Sequence, residues 1–207
     1  VAVDDVSIAI QEHSLHSIIG PNGAGKTTLF NMISGVLRPT RGEVLFRGRN
    51  ITHLPVHRIA HEGIGRSFQI TNIFPTLSVL ENIRLSAQAM GRDNLRFFRS
   101  ADDFQSYISR AEEVIDLVGL NGRESALALN LSHGEKRKLE LAIMLASDPV
   151  LLLMDEPTAG MSSEQVPALL EIIMKIRSLG TKTIVLVEHR MDMVMSISDR
   201  ITVMHLG

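Results

Sequence analysis

No cysteine and no tryptophan occur in this chain, and a single tyrosine, Tyr107, joins seven phenylalanines as its aromatic content. The missing thiols exclude disulfides and thiolate metal sites and fit a reducing compartment such as the cytoplasm. No apolar run approaches the ~20 residues that a membrane helix needs. The longest runs, "VLLLM" and "TIVLV", have the length of buried strands. Neither sign of charge is in excess: 21 Lys and Arg against 23 Asp and Glu give a formal charge of -2, so no nucleic-acid partner is expected. The chain opens on Val1 rather than methionine, with no signal-peptide pattern behind it, and is expected to be truncated at both ends. What is present is 207 residues with 44% hydrophobic content, enough to bury the core of one domain, or of one domain with a smaller lobe.

Turn signals and hydrophobic periodicity predict an α/β arrangement. Residues 1 to 19 alternate imperfectly, "VSIAI" and then "LHSII" around "QEHS", which predicts a hairpin or pair of strands joined without Gly or Pro. Gly42 to Arg49 reads as another short strand, and "LPVHRIAHEG" puts Pro55 at a helix start and Gly63 just past its end. Ser78 and Glu81 have capping-box spacing ahead of "NIRLSAQAM". Ser100 is expected to cap a second helix, on which Phe104, Ile108, Ala111, Ile115 and Val118 form one apolar face and Gly119 is the stop. A third helix follows "LSHGE". After Asp148 the pattern runs strand, helix, strand, helix, strand, which implies a mainly parallel sheet with crossover helices. The helix-rich block at 78–146 is expected as a lobe inserted between α/β portions at 1–77 and 147–207.

The segment "GPNGAGKTT" carries the clearest chemistry. Gly20, Gly25, Lys26 and Thr27 fit G-x-x-x-x-G-K-[ST], after an apolar strand and before a helix, as a phosphate loop requires. Across Gly20, Pro21, Asn22, Gly23, Ala24, Gly25, Lys26, Thr27 and Thr28, backbone N–H groups can converge on phosphate oxygens. Lys26 would add a point charge near the β and γ phosphates, and Thr27 a ligand for Mg²⁺. "VLLLMDE" reads as a strand buried on both faces that delivers Asp155 and Glu156 at its carboxyl end, where ligands bind in open α/β sheets. Asp155 would hold Mg²⁺ through its water shell, and Glu156 would orient or deprotonate an attacking water. "TIVLVEH" repeats this geometry and places His189 on the same edge, in reach of a γ-phosphate.

These elements, in this order and with "LSHGE" between them, resemble the nucleotide-binding subunits of ATP-binding cassette (ABC) transporters across essentially the whole chain. The resemblance implies a P-loop NTPase, RecA-like core with an N-terminal β subdomain and an inserted helical subdomain. It implies two subunits sandwiching two Mg·ATP, with Ser132 and Gly134 contacting the γ-phosphate of an ATP held by the opposite subunit. Gln69, in "RSFQ", matches the glutamine loop that touches Mg²⁺ and the attacking water beside the membrane permease. Glu156 matches the catalytic base and His189 the switch histidine. Within the family, "HRIAHEGIGRSFQITNIFPTLSVLENI", "DEPTAGMS" and "VEHRMDMVMSISDRI" look like the ATPases of branched-chain amino acid importers, including relatives that import urea or short amides. The implied place is peripheral, on the cytoplasmic face of the inner membrane, with a second ATPase that is either a copy or a paralogue. A lipopolysaccharide-exporter ATPase is a nearby alternative. A soluble ABC ATPase working on ribosomes or DNA would carry two cassettes or a long coiled coil, and a GTPase an N-K-x-D motif; the sequence has none of these.

The chain departs from the family pattern in three places. The adenine-stacking aromatic would lie upstream of Val1. At the strand turn, His13 and Ser14 stand where glycine and glutamate are usual, so His13 is expected at positive φ. Ser162 occupies a position often held by aspartate. Three other groupings read as structural. His53, His57 and His61 do not share a helix face if Pro55 starts the helix. Met191, Met193 and Met195 read as core filler, and Lys136, Arg137 and Lys138 as a solvent-facing charge run.

Overall fold

Five parallel strands in the order β4-β5-β6-β1-β7 form the sheet of the computed structural model, which describes residues 2–67, 73–91 and 102–207. In chain order the elements are β1 (Leu15–Ile19), α1 (Lys26–Ile33), β2 (Leu45–Phe46), β3 (Arg49–Asn50), α2 (Val56–His61), β4 (Ile64–Arg66), α3 (Val79–Ala89), α4 (Asp102–Val118), α5 (His133–Ala146), β5 (Leu151–Asp155), α6 (Val166–Ser178), β6 (Thr183–Val187), α7 (Met191–Ile197) and β7 (Arg200–Val203). All five residues of β5 and of β6 are buried, which is why these strands read as unbroken apolar runs rather than alternating ones. Register pairs Asp155 with Val187 and Ile18 with both Val187 and Thr202, so the carboxyl ends of the central strands finish level.

The chain divides into two compact units. The core unit, Val1–Arg66, Val150–Pro157 and Arg177–Gly207, holds the sheet. Its hydrophobic core runs through Ile18, Phe30, Ile51, Ile59, Leu153, Val185 and Val187. The helical unit is Ser67–Pro149 with Thr158–Ile176. The segment 158–176, expected with the α/β portion, groups instead with the helices. Arg137 on α5 donates to the Ala159 carbonyl at 3.2 Å, and a Cβ on Gly134 would come within 3.4 Å of the Gln165 amide.

Local signals set most helix ends. Pro55 is the N-cap of α2, and Gly63 follows its end at φ +100°. Ser78 accepts from Glu81 N at 3.1 Å, but the Glu81 carboxylate turns to Arg84, so only half of the expected box forms. On α4, Ala111, Ile115 and Val118 are buried while Phe104 is exposed, and Gly119 stops the helix at φ +67°. Ser100 lies outside the described residues.

Two strand expectations need correction. Gly42 to Arg49 is not one strand: Arg47 (φ +50°) and Gly48 (φ +75°) turn the chain back, so β2 and β3 form a tight antiparallel hairpin. Residues 6 to 10 lie outside any strand ladder, so the N-terminal stretch contributes β1 alone. His13 has the expected positive φ, +61°, and its N–H is held by Thr183 Oγ1 at 2.8 Å.

Candidate functional site

The phosphate loop joins the carboxyl end of β1 to α1 in a conformation that side chains would obstruct. A Cβ on Gly20 (φ +153°) would lie 2.2 Å from the Met204 carbonyl, and one on Gly25 (φ +98°) 2.2 Å from that of Ala2. Gly23, at φ +81°, faces open space, which leaves its bare backbone accessible. Gly25 is also the N-cap of α1. It supplies no side-chain hydrogen bond, and the first turn carries no acidic residue, so the dipole end of this helix is uncompensated by the chain. Lys26 opens the helix, is 6% exposed, and donates Nζ to the carbonyls of Gly20 (2.7 Å) and Pro21 (3.0 Å). The loop is thus wrapped around an ammonium group, with Thr27 exposed beside it.

At the end of β5, Asp155 is almost fully buried, its side chain 1% exposed. Burial pushes its carboxyl up from the ordinary range; the Arg66 guanidinium beside it, with Oδ2 3.5 Å from Nη2, pulls it back down. Glu156 also raises it, and Lys26 lowers it. The chain then turns through Glu156 at φ +48°, an uncommon conformation for a residue with a side chain. Glu156 N is held by the Val187 carbonyl of the neighbouring strand at 2.9 Å. The turned carboxylate Oε1 accepts from His189 Nε2 at 2.9 Å. His189 is placed by Glu188, whose buried carboxylate accepts from the backbone N–H of His189 at 2.9 Å. A carboxylate and an imidazole in direct contact, both partly exposed, can share or pass a proton.

The core unit therefore brings together Gly20 to Thr28, Asp155, Glu156 and His189 at the carboxyl edge of its sheet. Ser132 and Gly134 belong to the helical unit. There Ser132 caps α5 in a complete box: Ser132 Oγ accepts from Glu135 N at 3.3 Å, and Glu135 Oε2 accepts from Ser132 N at 2.9 Å. Gly134 faces the Gln165 amide, and Gly160 (φ +75°) lies against the His133 ring. Ser162 N donates to Gln165 Oε1 at 3.3 Å, so the loop that carries Ser162 is organised by an amide that no sequence signal marked. Gln69 lies outside the described residues. The basic run on α5 departs from its expected solvent exposure. Arg137 pairs with Glu140 at 2.7 Å and Lys138 donates to the Gly119 carbonyl at 3.3 Å, so these cations tie the helical unit together.

The model for the ABC transporter family matches residues 3–159. The chain belongs to the ABC transporter family. As an ABC transporter ATP-binding subunit it is an ATPase. It is 36% identical over 214 residues to the high-affinity branched-chain amino acid transport ATP-binding protein LivG of Salmonella typhimurium, covering 100% of this chain and 83% of LivG. Among solved structures it is similar to the ADP conformation of MJ1267, an ATP-binding cassette of an ABC transporter, with 29% identity and a TM-score of 0.84. That similarity covers 100% of this chain and 82% of MJ1267. The dimeric, post-hydrolysis cassette MJ0796 bound to ADP and Pi is 28% identical with a TM-score of 0.83, over 100% and 87% of the two chains.

The ABC cassette's own residues fit a magnesium nucleotide. The cradle leaves no room for a side chain at Gly20 or Gly25, the first helix offers uncapped N–H groups, and a buried cation and a buried carboxylate flank the loop. A cavity of about 510 Å³ in the core unit contains none of these residues. Leu151 and Thr183, which begin β5 and β6, line it, as do the apolar side chains of Ile8, Ile10, Leu29 and Ile51, so it lies at the opposite ends of the strands from Asp155. Among the described residues no helix is long and apolar enough to cross a membrane.

Proposed function

We propose that this chain is the ATP-hydrolysing subunit of a branched-chain amino acid importer, working as a dimer around two Mg·ATP at the cytoplasmic face of the inner membrane. The observation that carries the hydrolytic part is the convergence of the glycine cradle, Asp155 and the hydrogen-bonded Glu156–His189 pair on one sheet edge. Gly20 to Thr28 hold the phosphates through backbone N–H groups, and Lys26 leaves its two carbonyls to neutralise the β and γ oxygens. Thr27, Asp155 and Gln69 are the residues that would hold Mg²⁺, which when bound supplies charge neutralisation across those phosphates. Glu156 accepts a proton from water as the water oxygen attacks the γ-phosphorus and the bond to the ADP oxygen breaks. His189 holds Glu156 in place and, in reach of the γ-phosphate, reports its presence.

Ser132 and Gly134 complete the site of a second subunit, a copy or a paralogue, and the segment around Gln69 meets the permease. The dimeric MJ0796 cassette supports the two-subunit reading, and the name of LivG supports the class of solute. Two measurements test the reading. Hydrolysis per molecule is expected to rise with protein concentration; a rate strictly proportional to concentration would count against the dimer. Glu156→Gln is expected to retain ATP while hydrolysis falls ~10²–10⁴-fold, the range for loss of a general base. Undiminished turnover would remove Glu156 from the mechanism.

A further inference from the structure

Asp155 is paired with a neighbour, Arg66, that opens the "RSFQ" segment and to which no role has been assigned above. Arg66 ends β4, beside β5 in a register that pairs it with Leu153, and its side chain is only 11% exposed. One guanidinium nitrogen, Nη1, donates to Asn31 Oδ1 at 2.6 Å and to Ser34 Oγ at 2.8 Å, both in or just after the last turn of α1. The other, Nη2, lies 3.5 Å from Asp155 Oδ2. Ser34 Oγ is itself fixed, since it donates to the Phe30 carbonyl at 2.8 Å. The bonds to α1 are the shorter ones, so the guanidinium is anchored on the helix and constrains the carboxylate, rather than being carried by it. A planar guanidinium presents its two terminal nitrogens to different partners at once, Nη1 to α1 and Nη2 to the Asp155 carboxylate; a lysine ammonium at the same place would keep the charge and lose that separation.

We propose that Arg66 is a positioning residue. It locks the Asp155 carboxylate to the helix that follows the phosphate loop, so that metal and phosphates are presented to each other in one fixed arrangement. The two ends of α1 then serve one site: its first turn faces the phosphates and its last turn sets the metal-binding carboxylate. The inference rests on the proposed reading of Asp155 as a Mg²⁺-holding residue.

The test measures nucleotide binding rather than turnover. ADP affinity is determined by calorimetry in chelator and in excess Mg²⁺ for the wild-type chain, Asp155→Asn, Arg66→Met and the double variant Asn31→Ala with Ser34→Ala. The double variant keeps the Arg66 charge and removes its anchor, together with the bond from Ser34 to the Phe30 carbonyl, so it carries the test if Arg66→Met does not fold. The gain in affinity on adding Mg²⁺ is expected to shrink about 10-fold or more in Arg66→Met and in the double variant, the usual loss when the support of a metal ligand is removed. Affinity in chelator is expected to stay at the wild-type value in both. A full Mg²⁺ gain in either variant, or an equal loss of affinity with and without Mg²⁺, would overturn the positioning role. If Asp155→Asn keeps the wild-type gain, the metal-holding reading of Asp155 fails, and this inference with it. A gain lost in Asp155→Asn but kept in the Arg66 and anchor variants overturns the inference alone.

Discussion

The helices α1 and α5 begin in opposite ways. α1 starts at a left-handed glycine with no side-chain cap, no acidic residue in its first turn and a buried lysine at its positive end. α5 starts at Ser132 with both halves of a capping box in place and Arg123 holding Glu135 at 2.9 Å. The first N-terminus leaves its N–H groups and its dipole uncompensated by side chains, an arrangement that suits an incoming anion. The second is satisfied by its own residues. A ligand-dependent helix end betrays itself in local chemistry, whereas an end that is complete without its ligand gives no such sign. For that reason the phosphate loop can be read from its residues, while a phosphate contact at Ser132 rests on family resemblance.

The largest expected effect tests the incomplete end. Lys26→Ala removes the only charge that α1 directs at its own loop, together with the bonds to Gly20 and Pro21. A charge-assisted hydrogen bond contributes ~1.5–3 kcal/mol, and Lys26 would make more than one, so ATP affinity is expected to fall by ~100-fold or more. Equilibrium binding of a fluorescent ATP analogue measures this; an affinity within a few-fold of wild type would make the two helix ends alike after all.

Ser132→Ala probes the complete end and is expected to do less. Loss of an N-cap costs ~1 kcal/mol, or ~2–4 °C in Tm for a chain of this size. If the same hydroxyl also meets the γ-phosphate of a second subunit, hydrolysis falls in addition, by the ~10-fold or more that a bond to a charged group is worth. Calorimetric Tm and steady-state hydrolysis on the same sample separate the two. A lowered Tm with unchanged hydrolysis would leave Ser132 as a cap only.

The same contrast explains what was legible in the sequence. Where structure follows from local chemistry it could be read: the buried strands β5 and β6 from their apolar runs, the ends of α2 and α4 from Pro55 and Gly119, and His13 at positive φ from a turn lacking glycine. Where it depends on distant partners it could not. Arg47 enters the positive-φ region although its side chain disfavours it, so the hairpin of β2 and β3 left only Gly48 as a signal. Lys136 to Lys138 looked like a solvated charge run because Ala159 and Gly119, which take up Arg137 and Lys138, lie 22 and 19 residues away. Asp155, Glu156 and His189 were recognisable as residues at strand ends. The positive φ of Glu156 accompanies a backbone bond to Val187, 31 residues away in the chain and so without a trace in local composition, and a carboxylate bonded to His189.

The smallest effect comes from the other half of the α5 box. The Ser132 backbone and side chain, and then Arg123, hold the Glu135 carboxyl below the ordinary glutamate value. A depressed folded-state pKa means that the native chain binds fewer protons than the unfolded one, so stability rises with pH across that interval. The contribution of Glu135 is fully present above the ordinary glutamate value, ~4.3, and is lost as pH falls through the lower folded-state value. Glu135→Gln cannot titrate. Wild type is expected to exceed it in Tm at neutral pH by an amount worth a few tenths of a kcal/mol, and the gap is expected to close as pH falls below the ordinary value. Paired melts between neutral and acid pH measure the difference. A gap that persists unchanged into acid would assign the stabilisation to side-chain geometry rather than charge, and α5 would then owe its completeness to Ser132 alone.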